Sequence, residues 1–365
     1  MNKPTIAIVA GGTGGHFFPA KALAIQLRER NYPILFMTDK RIEDPQLAEW
    51  NDTQQFIIDG GGIAKKSFGK KISNGFELLK GISQSHKILK ENPVTAIIGF
   101  GGYPSIPPLT AARLISKKKR PKIILHEGNA IIGKANAMLS HFANVIATSY
   151  PEVTGISKHI PVKATGLPVR PDITALYPAP YQAPTDEISL LIWGGSLGAK
   201  IFGEIVPYAL ENLPKEIKQK LRITQQVRQE DLNRVAQIYD KAEIKATLAP
   251  FLNNVSDLLK QAHLVIGRAG GSSVSELSLA GKPAILVPYP FAANKEQDYN
   301  AKALEQEGSA WVIDQKEFSV TPLTALLNEL FSNPEKLSKA AAAHHLVYPN
   351  AAKELADLIE YYINV

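Results

Sequence analysis

The sequence contains no cysteine among its 365 residues. This absence excludes disulfide bonds, thiol catalysis and cysteine-ligated metal sites, and it fits a reducing compartment. No apolar run approaches the roughly 20 residues that a membrane-spanning helix needs. The N-terminus shows no signal-peptide pattern, because glycines directly follow the apolar stretch Thr5–Ala10. We therefore expect a cytosolic or peripheral protein.

Acidic residues are fewer than basic ones, with 34 Asp and Glu against 41 Lys and Arg and a net charge of +7. The basic excess is concentrated in one stretch that contains Lys65, Lys66, Lys70, Lys71, Lys80, Lys87 and Lys90, interleaved with Phe68, Phe76, Leu78 and Leu79. Such a mixture suits an anionic membrane surface, and it is equally compatible with a solvated loop and an ordinary amphipathic helix. No nucleic-acid-binding motif accompanies the charge, so nucleic acid is not an expected partner.

The order of apolar segments predicts an α/β protein of two domains, joined by the proline-rich segment Leu167–Thr185. The predicted strands are Thr5–Ala10, Ile34–Met37, Ala96–Gly99, Lys122–Leu125 and Asn144–Thr148, then Ser189–Trp193, Arg222–Gln225, Lys245–Leu248, Leu264–Ile266, Ala284–Val287 and Ala310–Ile313. The predicted helices of the first half are Pro19–Arg30, Phe76–Glu91, Ile106–Ser116 and Gly133–His141, and a final helix, Ala351–Tyr362, is expected to return to the first domain. Because the strands are continuous apolar runs, they indicate doubly wound parallel sheets buried on both faces.

One motif occurs twice, about half the chain apart. Ile6–Ala10 leads into the glycine turn Gly11–His16, and Ser189–Trp193 leads into Gly194–Ala199. Each unit reads as strand, glycine turn and helix, an arrangement in which backbone N–H groups and the helix dipole can hold a phosphate. Two such units indicate an enzyme that brings together two phosphorylated substrates, or one that binds a single large nucleotide.

The glycine turn Gly11–His16 partly matches the dinucleotide-binding fingerprint. Gly12 and Gly14 match its first two glycines and Asp39 follows a second strand, but Phe17 stands at the third glycine position, so the fingerprint is broken. His16, at the start of the helix, could contact phosphate or act as a base, or could be a structural residue of the turn.

Two further segments of the first half end predicted strands. The glycine turn Phe100–Ser105 is either a second anion-binding turn or a plain connection. His126, Glu127 and Asn129 lie where doubly wound folds place ligands, and could orient sugar hydroxyls or cap the next helix. Neighbouring residues of a strand face opposite ways, so His126 and Glu127 do not form a metal signature.

In the second half, the segment Gly267–Glu276 contains the most residues that could bind a substrate. Ser272 and Ser273 could N-cap a helix whose start faces a diphosphate, and Arg268 could add positive charge. Glu276 could accept both hydroxyls of a ribose, or it could complete a capping box with Ser273. Further along, Gln297 could contact sugar hydroxyls.

Together these segments resemble the MurG family, in order and spacing across essentially the whole chain. The segments that carry the likeness are Gly11–His16 with Pro19 and Ala20, Gly101–Tyr103, His126–Asn129, Pro168–Arg170, Gly194–Ala199, Arg268–Glu276, and Gln297 with Asn300 and Ala301. The resemblance implies a GT-B fold of two Rossmann-like domains with a cleft between them, an N-terminal acceptor and membrane domain of residues 1–167 plus 350–365, and a C-terminal donor domain of residues 168–349. It also implies transfer of N-acetylglucosamine (GlcNAc) from UDP-GlcNAc to lipid I, which makes lipid II for peptidoglycan.

The resemblance assigns roles to residues. The implied UDP-GlcNAc contacts are Thr13, Gly14, Gly15, Asn129, Arg170, Ser196, Leu252, Gly271, Ser272, Ser273, Val274, Ser275, Glu276 and Gln297. The implied acceptor contacts are His16, Gly101, Gly102, Tyr103 and Glu127, and the implied membrane face contains Lys65, Lys66, Phe68, Lys70, Lys71 and Phe76. The implied location is the cytoplasmic face of the bacterial inner membrane, with cell-wall synthesis proteins as neighbours.

The implied reaction is an inverting transfer, in which the 4-hydroxyl of N-acetylmuramic acid (MurNAc) attacks the anomeric carbon and UDP leaves. The hydroxyl proton needs a base, for which the sequence offers His16, the favoured residue, and Glu127. No Asp-x-Asp pair is present to hold Mg²⁺, so no metal and no cofactor are expected. Helix N-termini and arginine would stabilise the leaving diphosphate instead. The rival interpretations are a UDP-GlcNAc 2-epimerase of the same fold and a non-catalytic sugar-nucleotide sensor.

Overall fold

The computed structural model describes residues 3–11, 14–41, 53–59, 68–195 and 198–365, with the backbone alone for residues 68–74. The chain divides into two compact units. The first comprises Met1–Arg170 and Asn350–Val365, and the second comprises Pro171–Pro349. The sequence analysis placed the same division at residue 167, within the same proline-rich segment.

The first unit is built on a seven-stranded parallel sheet with the order β3-β2-β1-β4-β5-β6-β7. Its strands are β1 (Ile6–Val9), β2 (Ile34–Thr38), β3 (Gln54–Ile57), β4 (Ala96–Gly99), β5 (Lys122–Glu127), β6 (Val145–Thr148) and β7 (Val162–Ala164). Alternate residues of β1 enter different hydrophobic clusters: Ile6 and Ile8 pack on one face, and Ala7 and Val9 on the other. This two-sided burial explains the continuous apolar runs and confirms the predicted parallel sheet.

Helices cover both faces of this sheet. They are α1 (Gly14–Glu29), α2 (Phe68–Glu91), α3 (Ile106–Leu114) and α4 (Lys134–Leu139). Two predicted starts were wrong. The first helix was predicted to start near Pro19, but α1 begins at Gly14, directly after the glycine turn, and Pro19 lies inside it. Helix α2 begins at Phe68 and not at Phe76.

The second unit repeats the architecture with a six-stranded parallel sheet of order β10-β9-β8-β11-β12-β13. Its strands are β8 (Ile188–Trp193), β9 (Leu221–Gln226), β10 (Lys245–Ala249), β11 (Leu264–Gly267), β12 (Ala284–Leu286) and β13 (Ala310–Val312). Its helices are α5 (Pro171–Thr174), α6 (Lys200–Glu211), α7 (Lys215–Lys220), α8 (Leu232–Lys241), α9 (Val255–Gln261), α10 (Gly271–Leu279), α11 (Glu296–Glu307), α12 (Val320–Ser332) and α13 (Pro334–Ala342). The predicted strands of this half correspond one to one to the observed strands.

The final helix, α14 (Ala351–Asn364), belongs to the first unit. It packs beside α1, and its buried residues Leu355, Ala356 and Ile359 join the hydrophobic cluster that contains Ile6 and Ile8. Arg30, at the end of α1, forms ion pairs with Asp357 (2.7 Å) and Glu360 (2.9 Å) of α14. The sequence analysis expected this return of the chain.

No helix among the described residues is both long enough and apolar enough to cross a membrane.

Candidate functional site

The carboxyl ends of β1 and β4 bring the two glycine turns of the first unit together. Val9 pairs with Gly99 in the sheet, so the turns that follow these strands start side by side. A Cβ on Gly11 would lie 2.6 Å from Asp39 Oδ2 and 2.8 Å from Pro104, so only glycine fits there. The turn after β4 places Gly101 and Gly102 at φ 84° and 71°, conformations that favour glycine.

His16 lies in the first turn of α1, and its ring faces the second glycine turn. A Cβ on Gly102 would lie 3.3 Å from the imidazole Cδ2. Burial lowers the pKa of His16, the nearby charge of Arg41 lowers it further, and a hydrogen bond with the backbone of Phe100 opposes the shift. A lowered pKa keeps the imidazole neutral at pH 7, the state in which it can accept a proton.

The neighbouring His126 is a scaffold residue. Its Nε2 lies 2.9 Å from the carbonyl oxygen of Gly166, and its ring stacks on Phe100 with centroids 5.2 Å apart. Burial lowers the pKa of His126 to about 4, so this imidazole also stays neutral at pH 7. It is enclosed by the core, and its hydrogen bond ties β5 to the segment after β7.

Both oxygens of Glu127, at the end of β5, are occupied by local hydrogen bonds. Oε1 accepts from the backbone N–H (3.1 Å) and the side-chain amide (3.2 Å) of Asn129. Oε2 accepts from the backbone N–H of Gly133 and the amide of Asn136, both at 2.9 Å. Burial raises the pKa of Glu127, and these four donors oppose the shift. The carboxylate therefore holds the loop between β5 and α4 in shape.

Asn136 is a site residue that sequence reasoning missed. Its amide nitrogen donates to Glu127 and also to the backbone carbonyl of His126, at 3.0 Å, and it lies against Gly101. A buried asparagine within the apolar helix α4 was the only signal in the sequence.

The remaining predicted residues of the first unit lie at its loops and at its end. Gly14 and Gly15 form the start of α1, and Tyr103 follows the second glycine turn with its side chain exposed. Arg170 is the last residue of the first segment of this unit, and its guanidinium lies 5.6 Å from the centroid of the Phe18 ring.

In the second unit, the predicted donor residues gather at the start of α10. The helix begins at Gly271, and Gly270 is its N-cap in an extended conformation, with no side-chain capping hydrogen bond. The predicted N-cap at Ser272 or Ser273 was therefore wrong, because the helix starts earlier than the serines suggest. Ser272, Ser273, Val274 and Ser275 lie in the first turns, followed by Glu276, which is 4 % exposed. The start of a helix without a side-chain cap is suited to an anion.

Arg268, which was expected to add positive charge near the start of α10, forms hydrogen bonds with groups of the protein itself. Its guanidinium donates to the carbonyl oxygens of Val287 (2.9 Å) and Pro288 (3.2 Å) and to Gln315 Oε1 (2.6 Å). It also lies between the rings of Phe202 and Tyr289. Its hydrogen bonds therefore join β11 to the segment after β12.

Gln297 and Asn300, on α11, hold the loops around α10. Gln297 Oε1 accepts from the backbone N–H groups of Tyr289 (2.9 Å) and Ala269 (3.3 Å), and Asn300 donates to the carbonyl of Ala269 (3.0 Å). These bonds direct the carbonyl side of Gln297 to the backbone, so its amide N–H groups are the part suited to a sugar hydroxyl. Lys295, the N-cap of α11, has φ 57°, a strained conformation for a residue with a side chain.

Gln226, at the end of β9, is a second residue that sequence reasoning missed. Its Oε1 accepts from the N–H of Gly194 (3.1 Å), and its Nε2 donates to the carbonyl of Pro250 (3.1 Å). One side chain thus connects the glycine turn after β8 to the loop that carries the predicted donor residue Leu252, which is buried. The available signal was the pair of glutamines, Gln225 and Gln226, that ends β9.

Several predicted residues cannot be placed. Thr13, Ser196, Lys65 and Lys66 lie outside the described residues. Phe68, Lys70 and Lys71 belong to α2, whose backbone alone is described there. Phe76 is 71 % exposed on the same helix. Among the residues that the structure describes, no group of three His, Asp or Glu side chains could hold a metal ion.

Each unit is therefore a doubly wound parallel sheet with glycine turns and helix starts at the carboxyl ends of its strands. This arrangement defines the class of Rossmann-like proteins that bind nucleotides or other phosphates. The family comparisons agree with that class. The glycosyltransferase family 28 N-terminal domain matches residues 6–148, and the glycosyltransferase family 28 C-terminal domain matches residues 189–360.

The similar proteins are more specific. A protein of Gluconobacter oxydans named UDP-N-acetylglucosamine--N-acetylmuramyl-(pentapeptide) pyrophosphoryl-undecaprenol N-acetylglucosamine transferase is 51% identical over 99% of this chain and 99% of its own length. A protein of the same name from Paramagnetospirillum magneticum is 43% identical over 98% of this chain and 96% of its own. The crystal structure of Acinetobacter baumannii MurG superposes with a TM-score of 0.79 at 29% identity, covering 98% of this chain and 100% of that one. The chain belongs to the MurG family of family 28 glycosyltransferases, which have the GT-B fold.

Proposed function

We propose that this protein transfers GlcNAc from UDP-GlcNAc to the 4-hydroxyl of MurNAc in lipid I, which yields lipid II. The observation that carries this proposal is the 51% identity, along 99% of both chains, to a relative whose name states that transfer. The glycine turns and the uncapped start of α10 support it, because the substrates in that name are a nucleotide sugar and a pyrophosphoryl lipid.

We assign the donor to the carboxyl end of the second sheet. The start of α10 would hold the diphosphate, and Glu276 would accept the ribose hydroxyls. The backbone of Leu252 would contact uracil, and the amide of Gln297 would contact GlcNAc. The buried position of Glu276 in the first turns of α10 supports its role, as do the hydrogen bonds that orient Gln297.

We assign the acceptor pyrophosphate to the first unit, at the start of α1 and the turn Gly101–Tyr103. His16 would accept the proton of the MurNAc hydroxyl as that oxygen attacks the anomeric carbon and UDP departs. Two observations favour His16 over Glu127. Burial lowers the pKa of His16, which favours the neutral imidazole at pH 7, and both Glu127 oxygens already accept hydrogen bonds from Asn129, Gly133 and Asn136.

We also propose that the transfer needs no metal ion. As the bond to GlcNAc breaks, negative charge develops on the UDP diphosphate, and the partial positive charge and N–H groups at the start of α10 would stabilise it. Backbone dipoles would thus stabilise the negative charge that a divalent cation stabilises in enzymes with an Asp-x-Asp pair.

Helix α2 is the proposed contact with an anionic membrane surface. Phe76 and Leu79 are 71% and 63% exposed, and the Lys80 and Lys87 side chains are largely exposed on the same helix. Exposed apolar side chains can enter the lipid headgroup region while lysines attract anionic lipids. The protein would then lie at the cytoplasmic face of the inner membrane, near other proteins of cell-wall synthesis.

The proposed function is tested by incubating the protein with UDP-GlcNAc and a short-chain lipid I analogue in EDTA, and measuring UDP release and the disaccharide product. The expected result is acceptor-dependent UDP release with a GlcNAc–MurNAc product. Product formed only after Mg²⁺ is added would contradict metal independence. UDP-GlcNAc turned over to an epimerised sugar without acceptor would instead identify an epimerase, and binding without turnover would identify a sensor.

A further inference from the structure

Arg41 is an exposed arginine that a buried carboxylate holds in place. Asp39, directly after β2, is buried, and its Oδ1 accepts from the Arg41 backbone N–H (2.8 Å) and from Arg41 Nε (3.1 Å). Its Oδ2 accepts from Arg41 Nη2 at 2.7 Å. The Arg41 side chain is nevertheless 56% exposed, although Asp39 holds one edge of its guanidinium.

This arginine lies beside the two glycine turns of the first unit. The Asp39 carboxylate that holds it packs against Gly11, within 2.6 Å of where a Cβ would be. The positive charge of Arg41 also acts on the His16 imidazole, which in turn faces Gly102. Helix α1, which carries His16, has no acidic residue in its first turn. The Arg41 guanidinium held by Asp39, the start of α1 and the glycine turns thus lie at one edge of the sheet.

We propose that Arg41 binds a phosphate oxygen of the acceptor's pyrophosphate, with Asp39 holding the guanidinium in position. This inference rests on the assignment of this edge of the first unit to the acceptor, and it adds a residue that the family resemblance did not supply. Arg41 acts as a binding residue and Asp39 as a positioning residue.

The chemistry of the guanidinium favours this role over a purely structural one. Asp39 takes Nε and Nη2, and Nη1 donates to no acceptor within the described part of the chain. Arginine presents its donors in a planar fork, so one edge can be held by a carboxylate while a remaining N–H donates to a phosphate oxygen. A turn alone would not need the guanidinium, because the Arg41 backbone N–H already closes it on Asp39.

Pyrophosphate also occurs in UDP-GlcNAc, and the test must separate the two substrates. The variants are Arg41→Ala, Arg41→Lys and, as a matched control, Arg113→Ala, which removes an exposed arginine from the last turn of α3. Steady-state kinetics with a short-chain lipid I analogue would measure KM for each substrate.

We expect Arg41→Ala to raise the acceptor KM about 10- to 100-fold, the usual effect of losing a hydrogen bond between charged groups. The KM for UDP-GlcNAc should stay within twofold, Arg41→Lys should be intermediate, and Arg113→Ala should match the wild type.

The pH profile gives a second readout, which tests whether the charge of Arg41 lies close to His16 at this edge of the sheet. Within the described residues, Arg41 after β2 and His126 on β5 interact electrostatically with His16, and Asp39 lies against Gly11 of the same turn. Since Arg41 lowers the pKa of His16, its removal should move the acid limb of kcat/KM to higher pH, and Arg41→Lys should largely restore the limb.

Three outcomes would overturn the proposal. They are an acceptor KM unchanged in Arg41→Ala, a rise in the UDP-GlcNAc KM instead, and equal losses for both substrates with a lowered melting temperature in both Arg41 variants. These outcomes differ from failure of the proposed function. If the proposed function is wrong, the wild-type protein itself forms no product.

Discussion

At the scale of single residues, the first unit shows how burial and hydrogen bonding give two neighbouring polar groups different tasks. Glu127 lies at the end of β5, a position that favours chemistry, yet four donors surround its oxygens. His16 is half-buried beside Gly102, and burial lowers its pKa, which favours the neutral imidazole at pH 7. The sequence offered both residues as bases and could not rank them securely, because the partners of Glu127 come from a loop whose shape no local pattern specifies.

His16→Ala should lower kcat/KM by roughly 10²- to 10⁴-fold, the usual contribution of a general base. In the wild-type protein, kcat/KM should fall as pH drops through the pKa of His16. Because burial lowers that pKa, the acid limb should lie below pH 6.5. The measurement is kcat/KM for the acceptor analogue between pH 4.5 and 9, under conditions where the protein stays folded.

Glu127→Gln is the comparison for that experiment. The amide places an NH₂ group against N–H donors, so the variant should melt at a lower temperature, yet it should keep the acid limb of the wild type. Loss of the limb in Glu127→Gln and its survival in a weakly affected His16→Ala would assign the base to Glu127.

Glu276→Ala should raise the KM for UDP-GlcNAc about 10- to 100-fold, because a carboxylate accepts both hydroxyls of a ribose and alanine accepts neither. Isothermal titration with UDP should show the same loss of affinity. Glu335→Ala, at an exposed position in the first turn of α13, is the matched control and should bind UDP normally. Unaltered UDP affinity in Glu276→Ala would remove the ribose role.

At the scale of elements, the interior strands could be predicted from the sequence, and two edge strands could not. Interior strands such as β1, β4 and β8 are apolar because both faces are buried, and this leaves a clear pattern. Strands β3 and β7 lie at the edges of their sheet, with mostly exposed residues, and the sequence analysis missed both. An edge strand such as β3 begins with two glutamines, and only its pairing with β2 makes it a strand.

The loops at the sites show the same limit more strongly. The sequence indicated which segments carry polar residues, but it did not indicate where their hydrogen bonds go. Arg268 binds carbonyl groups about 20 residues away in the chain. Gln226 bonds to Gly194 and to Pro250, which are 32 and 24 residues away from it. Such long-range partners depend on the order of strands in the sheet, and a local pattern cannot specify them.

Phe76→Asp combined with Leu79→Asp should reduce sedimentation of the protein with vesicles of anionic phospholipid, because both apolar contacts are lost and two negative charges are added. Tyr361→Asp, on helix α14, alters a side chain of similar exposure (61%) and should sediment normally. Equal sedimentation of all three proteins would contradict a membrane contact through α2, and a loss with Tyr361→Asp alone would place the contact on α14.

At the scale of the whole molecule, the family, the GT-B fold and the two sheets could all be predicted, because glycine turns after buried strands recur in order along the chain. What the sequence left open was the contribution of parts remote from the sites. Helix α14 is such a part, since Leu355 is fully buried in the same cluster as Ile6 of β1.

Leu355→Ala should destabilise the first unit by about 2–5 kcal/mol, the usual cost of a cavity left by a buried leucine. Hydrogen-exchange mass spectrometry should show the loss of protection in peptides from β1 and β4. The matched control is Leu114→Ala, at a position that is 64% exposed, where the change should be within about 0.5 kcal/mol. Protection of β1 equal in both variants would mean that α14 adds little to this core.

The place of α14 also has a consequence for how the protein is made. The first unit needs residues 350–365, so its core cannot close until the last part of the chain has been synthesised. The second unit, residues 171–349, is complete before then, and domains generally fold as units during synthesis. The unit that is translated first is therefore finished last, and until α14 arrives the surface beside α1 stays uncovered on the nascent chain. A chain that ends directly after residue 349 would thus have a complete second unit and an open first one.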